Sequence, residues 1–593
     1  MNQSLDIEKQ PSPGMSSADP EIEERENVEL YSSSEEEETR NAEKKHHPNR
    51  SISTKFAPMK NPEYKGANDG KEGNLSATRT FSRRAPTFGD ESAHPFGGTL
   101  SHSRAEMALE RFLSQKPNLE KGEPIIVHWE GDDDPENPLN WSTWYKCWLT
   151  VLAAVLVLNS TFTSSAPNGV TPELIRYFGF SQEVATLTIS LWVAGYCLGP
   201  LIFGPMSERL GRKPVFVLSI FCYTIWNIAC ALSKNTASIL VFRFLGGVFG
   251  AAPLTNSGGC IADVWNAKSR GIAMSMFSIA PFAGPAIGPI VSGAISVTGT
   301  DWRWIFWTCS IFSGVCLILV VFTLKESYAP VILQRKAKRI RKETGQEFYK
   351  APLDMHPLVA KHLLHDTLLF PFIMLVQEPI LLAMALYLGF VYGIIYLCFG
   401  AYPIIYQEVH GFNSLISGLM FLSLFLGGVA GVIFYILFFN PRYVRKMEEC
   451  AAAGKGRVPP EERLLIVCVA APCLVISFFW IGWTHYKSIN YWSPLMGGAL
   501  LGFAILLVFL GLFNYIVDAY LAKAASGLAG NTVIRSAFGA GFPLFTTQMF
   551  NKLGISWACS LLGFLALVLL PIPFVLVKYG PRIRAMSKHA ADH

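Results

Sequence analysis

The sequence predicts an all-α membrane protein of twelve transmembrane helices arranged as two six-helix bundles. Three observations carry that prediction. Of 593 residues, 50% are hydrophobic and only 16% are charged, against about 25% charged in soluble domains, and the mean hydropathy is +0.30. Twelve apolar runs follow one another between residues 146 and 577, each close to the ~20 residues that a helix needs to cross a bilayer. A polar stretch separates the first six runs from the last six, as expected of two six-span halves.

The net charge of +5 is small and sits mostly in loops, so the lipid bilayer is an expected partner and nucleic acid is not. Of the 12 cysteines, most lie inside apolar runs, as Cys197, Cys222, Cys316 and Cys468 do. They form no Cys-x-x-Cys pair and no His/Cys cluster with metal spacing, and read as small buried hydrophobes. No metal and no cofactor is expected, and no nucleophile–base constellation suggests an enzyme.

Residues 1–140 are expected to form a disordered cytosolic tail. Up to about residue 125 they are rich in Ser, Glu, Lys and Pro and hold too few aliphatics to bury a core. The acidic run Ser32–Glu38, followed by Lys44-Lys45-His46-His47, reads either as a solvated linker or as a phosphorylated regulatory segment. No apolar h-region occurs there, so no cleavable signal peptide is expected. Asp132 to Ser142 come just before span one. Their acids and prolines block helix, and Trp141, Trp144 and Trp148 mark the headgroup level where amphipathic rings settle.

Spans one to six fall at about 146–167, 182–203, 214–232, 237–260, 271–294 and 303–324, giving an N-terminal bundle over 141–324. A central loop occupies 325–377. Spans seven to twelve fall at about 378–402, 413–439, 464–484, 493–517, 524–547 and 554–577, giving a second bundle over 378–577 before a short cytosolic tail, 578–593. Lysine and arginine set the orientation: nine lie in 325–371 and six in 440–463, against one each in 168–181 and 485–492. The basic side is expected in the cytosol with both termini. The sequons at Asn2, Asn49, Asn74 and Asn140 would then face away from the glycosylation machinery. In the central loop, Leu358, Val359, Leu363 and Leu364 interleave with Lys361, His362, His365 and Asp366 at the spacing of an amphipathic helix lying on the membrane.

Between spans two and three runs Gly204-Pro205-Met206-Ser207-Glu208-Arg209-Leu210-Gly211-Arg212-Lys213-Pro214. Its glycines allow a backbone path that a Cβ would obstruct, its prolines stop either helix running on, and its charges must lie at the membrane surface. The stretch resembles the loop between spans two and three of the major facilitator superfamily, G-x-L-x-D-R-x-G-R-[KR], with Glu208 in place of the usual Asp. Two further segments resemble the fungal drug:proton antiporters of that superfamily, in the polyamine and multidrug branch. One is Asp134-Pro135-Glu136-Asn137-Pro138-Leu139-Asn140-Trp141-Ser142. The other is Glu326-Ser327-Tyr328-Ala329-Pro330-Val331-Ile332-Leu333 after span six. Sugar porters usually carry P-E-S-P-R at the second place and repeat the glycine-rich loop in the second half, where Asn440-Pro441-Arg442-Tyr443-Val444-Arg445-Lys446 lacks the glycines. The resemblance covers about 130–585 and implies a major facilitator fold.

Ionisable and helix-breaking residues inside the spans are where function is sought. Arg243, in span four, resembles the arginine that the family links to proton coupling; the alternative is a fixed salt bridge or carbonyl clamp. In span five Pro281, Pro285 and Pro289 share one face, with Gly284 and Gly288 on the next stripe, and the segment resembles the antiporter motif G-x-x-x-G-P-x-x-G-[GP]. In spans ten and eleven, Asn514 with Asp518 and Asn531 with Arg535 each lie four residues apart. Asp518 and Arg535 are expected to form a gate that pairs and unpairs, or else a static surface pair. Glu378 opens span seven ahead of Tyr392 and Tyr396, and would draw a cationic amine to aromatic faces. Asn159 is expected to line the cavity opposite. At the cytosolic side a latch of Gly204, Glu208, Arg209, Gly211, Arg212, Asp263 and Arg270 is expected to hold one state and to loosen on protonation.

The function implied is proton-coupled export of small amphipathic or cationic compounds, such as azoles and polyamines, by a monomer in the plasma membrane or, alternatively, the vacuolar membrane. Small-molecule substrates and protons are its expected partners. A nutrient-uptake symporter of the same fold and a transport-deficient membrane sensor are the rival readings.

Overall fold

The computed structural model describes residues 124–131, 133–355, 369–454, 458–520 and 523–587, all within one compact unit, 85–593. The tail before residue 124, the sequons at Asn2, Asn49 and Asn74, the amphipathic pattern at 358–366 and the last six positions, 588–593, lie outside the described residues.

Among the described residues, 11 helices are long and apolar enough to cross a membrane. The last, Ser526–Ala585, has 60 residues and would be about 90 Å long if straight, some three hydrocarbon thicknesses. Gly554 breaks it with φ 75° and ψ 161°, so it supplies both span eleven and span twelve. The sequence predicts a short loop at 548–553. The chain instead stays helical up to one glycine, the residue type that takes positive φ without a Cβ penalty.

The first half comprises Thr143–Ser165, Gln182–Leu210, Arg212–Ala231, Thr236–Val264, Ser269–Val297 and Arg303–Thr323. The second comprises Pro379–Val409, Ser414–Ala452, Leu465–Thr484, Trp492–Tyr520 and the two arms around Gly554. Spans two and eight run well past their apolar stretches, to Leu210 and Ala452. Backbone hydrogen bonds do not require an apolar side chain, so a helix can continue through charged residues beyond the hydrocarbon. The ends that carry these charges, together with the central loop, are called the basic end below.

Span five is the bearing between the halves. It is interrupted between Phe277 and Ala280, and Pro285 and Pro289 lie inside its second part, where each removes a backbone donor. Its small residues admit neighbours from both sides. A Cβ on Gly284 would stand 2.5 Å from the Phe162 nitrogen of span one, and one on Gly418 of span eight would stand 2.5 Å from the Pro289 carbonyl. Such approach is available only where there is no side chain. Span seven is the most enclosed, with 83% of its apolar window buried, which places Tyr392 and Tyr396 deep in the protein.

A small strap covers the basic end. β1 (Ile125–Ile126) pairs in parallel with β2 (Tyr349–Lys350), with Ile125 opposite Tyr349. Between them in sequence lies a linker helix, Ala329–Thr344. Val127, Leu333, Ala337 and Ala351 form the core of this strap. A helix is thus present in the central loop, upstream of the place where the sequence pattern predicts one.

Candidate functional site

Polar side chains from both halves meet in a buried seam. Ser164 Oγ of span one lies 3.2 Å from Tyr396 OH of span seven, and Tyr396 OH lies 3.3 Å from Tyr392 OH. The two tyrosines are one helical turn apart and so share a face. The ring of Tyr392 in turn carries the Arg535 guanidinium at 4.7 Å. At the other side, Arg243 donates to the Ser164 carbonyl at 3.1 Å. A chain of contacts therefore runs from Arg243 in the first half to Arg535 in the second.

Arg243 is fully buried, and its surroundings explain how it can be. Its Nε donates to the Thr188 carbonyl at 2.6 Å and its Nη1 to the Thr163 carbonyl at 2.9 Å. Thr163 and Ser164 belong to the last turn of span one, where carbonyls lack partners within the helix and the helix dipole is negative. Trp192 lies 4.3 Å from the guanidinium and presents its electron-rich face. Arg243 is thus a carbonyl clamp holding spans one, two and four together, the alternative that the sequence left open.

Tyr196 and Tyr223 extend the network within the first half. Trp192 Nε1 donates to Tyr196 OH at 2.9 Å, and Tyr196 OH donates to the Ser160 carbonyl at 3.0 Å. Tyr223 OH is 2.6 Å from Thr163 Oγ1 and donates to Asn159 Oδ1 at 2.7 Å. Asn159 also donates to Cys316 Sγ at 3.3 Å. It lines a small void inside the first half, with Ser160, Tyr223 and Gly250, rather than the seam between the halves.

In span eleven, Arg535 is half-buried and stands over Tyr392, Phe513 and Phe509. Its Nε is buried without an acceptor, and Asn531, one turn away and fully buried, has neither amide atom bonded. Asn514 is buried too, but its amide donates to the Leu510 carbonyl at 2.7 Å. Asp518 does not meet Arg535. Its carboxylate accepts from Arg463 Nε at 2.9 Å and from Tyr443 OH at 3.5 Å. The expected pairing fails because Asp518 lies two residues from the end of span ten, whereas Arg535 lies roughly 16 Å along span eleven from the same end.

At the basic end of the first half, Arg212 Nε meets Asp263 at 3.2 Å, and Arg212 Nη1 donates to Ser207 Oγ at 2.6 Å. The Glu326 carboxylate accepts from the backbone N–H groups of Arg212 at 2.8 Å, Lys213 at 3.2 Å and Tyr328 at 3.1 Å. It caps the start of span three, where amides lack helical partners. Gly211 makes this possible: its φ is +99°, and a Cβ there would overlap the Glu326 carboxylate. Arg270 donates to the carbonyls of Trp265 at 3.1 Å and Ala262 at 3.3 Å, so it caps the end of span four next to the Asp263 pair.

The second half repeats the arrangement. Arg212 opens span three and Asp263 closes span four, 51 positions later; Arg463 precedes span nine and Asp518 closes span ten, 55 positions later. That near-equal spacing is the signal by which Arg463 was legible. Glu326 was visible only as part of a motif, without a role. Glu378 opens span seven, as the sequence has it, which puts it at the basic end, where its carboxylate accepts from Tyr520 OH at 3.4 Å and Ser587 Oγ at 2.5 Å. Tyr392 is 14 residues further on, about 21 Å along the helix.

The family model described as Major Facilitator Superfamily matches residues 152–543. The chain is 42% identical over 470 residues to the major facilitator superfamily multidrug transporter mdrA of Aspergillus fumigatus, covering 79% of this chain and 76% of that one. It is 40% identical over 462 residues to the efflux pump FUB11 of Gibberella moniliformis, covering 78% and 77%. Among solved structures, the xylose transporter XylE of E. coli superposes with a TM-score of 0.50 at 17% identity, over 73% of this chain and 99% of that one. At that identity the likeness concerns the fold.

Proposed function

The chain belongs to the major facilitator superfamily, and we propose that it is a proton-coupled antiporter that exports small amphipathic compounds by alternating access. The observation that carries this reading is the seam itself. Two helical halves meet through a hydroxyl contact, through the small-residue surface of span five, and through side-chain packing that includes Cys197 on Val533 and Phe282 on Phe509, the two-sided construction that rocking of one half against the other requires. The relatives named as a multidrug transporter and an efflux pump support outward transport.

Of the cargoes that the sequence suggests, aromatic amphiphiles such as azoles suit the seam better than polyamines. The tyrosines and phenylalanines around Arg535 offer ring faces, whereas Glu378, the carboxylate that would draw a polyamine, sits at the basic end. The basic end faces the cytosol by the positive-inside rule, which puts both termini there. The membrane is the plasma membrane, and one chain suffices, since the seam lies within it.

Proton coupling is assigned to carboxylates at the basic end. The buried acids among the described residues, Asp134, Asp263, Glu326, Glu378, Glu461 and Asp518, all stand at or beyond helix ends there. Protonating Asp263 removes its attraction for Arg212 and loosens spans two, three and four at that face. Purified protein in liposomes should move an azole against its gradient when a pH difference is imposed. No solute movement in answer to that difference would sink the proposal, and unchanged transport on neutralising Glu208 and Asp263 together would sink the latch.

A further inference from the structure

Arginines inside this protein are satisfied in two ways. Arg212 and Arg463 face aspartates, and Arg243 donates to three carbonyls. Arg535 follows neither pattern. Among the described residues it makes no hydrogen bond and no ion pair, and its buried Nε has no acceptor. The rings of Tyr392, Phe513 and Phe509, at 4.7, 5.6 and 5.9 Å, attract its charge but accept none of its N–H groups in a directed bond. A guanidinium deep in a span and lacking an acceptor is costly, which makes the position receptive to one.

The surroundings define what fits. Arg535 is half-buried although it lies deep within span eleven, so its charge keeps an open side. Cys197 of span two packs against the same stretch of span eleven, with Sγ 3.6 Å from the Val533 carbonyl. Phe282 of span five, also half-buried, lies 5.6 Å from Phe509. One turn from Arg535, Asn531 holds a buried amide with no partner on either atom. The site thus combines a planar fork of donors, a second amide donor and several aromatic faces, with no carboxylate paired to the cation.

We propose that Arg535 receives the acidic group of an aromatic organic anion, a carboxylate borne on a ring system. The carboxylate accepts two parallel N–H groups of the guanidinium, the geometry for which arginine is built. The ring lies among Tyr392, Phe509 and Phe282. This rests on the efflux reading above and adds a class of cargo to it, aromatic acids beside the uncharged azoles. It also separates the roles of the two arginines within the spans: Arg243 holds the helices and Arg535 holds the ligand.

The test uses purified full-length protein in detergent and three probes of one shape: 1-naphthoate, 1-naphthamide and 1-naphthylmethylamine, titrated by calorimetry. The acid should bind roughly tenfold or more tighter than the amide, as a charge-assisted pair implies, and the amine should bind most weakly. R535Q should bring the acid and amide to within about threefold of each other, lowering the acid's affinity more than the amide's. R535K, which keeps the charge but loses the fork, should retain a smaller preference and decides the matter if R535Q does not fold. A preference for the amine, an unchanged acid-to-amide ratio in both variants, or failure of all three probes to bind would overturn the proposal. Proton-driven transport in liposomes is read separately, so a transporter that prefers the amine refutes this inference and leaves the efflux reading standing.

Discussion

Ser164 and Tyr396 are 232 positions apart in the chain, and their hydroxyl oxygens are 3.2 Å apart in the fold. One belongs to span one and the other to span seven, so this bond joins the halves at a point where both side chains are buried. Ser164 also lends its carbonyl to Arg243, and Tyr396 reaches Tyr392. Movement of the halves must break this bond while leaving the clamp within the first half intact.

Replacing Ser164 by Ala or Tyr396 by Phe should each cost about 1 kcal/mol. The double variant should cost less than the sum, with a coupling of about 0.5–1.5 kcal/mol. Thermal unfolding of the four proteins in one detergent gives the cycle. Strict additivity would mean that the two hydroxyls do not meet in the resting protein.

Gly211→Ala and Gly179→Ala compare two glycines of positive φ, +99° and +70°. Both variants bear backbone strain of about 1–3 kcal/mol. Only at Gly211 would the new methyl also displace a carboxylate, since nothing lies within 4 Å of a Cβ at Gly179. The melting temperature should fall further for Gly211→Ala, and transport should fall with it. Equal losses would remove the Glu326 carboxylate from the start of span three.

Asp518→Asn leaves the buried Arg463 guanidinium without its counter-charge and should destabilise by about 3–5 kcal/mol. Adding Arg463→Gln should recover part of that loss, because the orphaned charge is gone. Asp263→Asn with Arg212→Gln should behave alike. A double variant as unstable as the two single losses summed would argue against an ion pair at either place.

The strap gives a pH dependence. Burial alone would raise the pKa of Asp134, but the backbone N–H groups of Glu130 and Glu136, at 2.9 and 2.8 Å, and the Lys336 ammonium, at 3.1 Å, more than offset it and hold the carboxylate below its usual value. A depressed folded-state pKa stabilises at pH values above the unfolded one, and that contribution fades as the pH falls through the folded one. The strap should therefore resist proteolysis at neutral pH and open only below the ordinary aspartate range. Asp134→Asn should make the segment around residue 130 cleavable at neutral pH.

Composition and the period of apolar runs fixed the class, the number of spans and the division into halves, because a bilayer demands long apolar helices wherever a chain crosses it. Motifs pointed to the superfamily and to span five as a special helix. The boundary between spans eleven and twelve was less legible, since one glycine did the work of a loop. At the basic end, the sequence grouped Arg212 with Asp263, which stand 3.2 Å apart in the fold, but it gave no sign of the role of Glu326, which depends on reaching the amides of a helix 113 positions away.

Within the spans the division is sharper. That Arg243, Arg535, Asp518 and Glu378 are unusual followed from the sequence alone, because taking an ionisable group out of water carries a desolvation cost wherever it falls in a span. Which partner meets each of them was settled by helix direction and depth: Asp518 and Glu378 fall at the basic end, Arg243 reaches the carbonyl end of span one, and Arg535 stops at mid-span among rings. Distance along a helix can be counted from sequence, but the face and height at which two helices pack come only from the fold. Those two quantities decide whether a buried charge is a clamp, a latch or an open site.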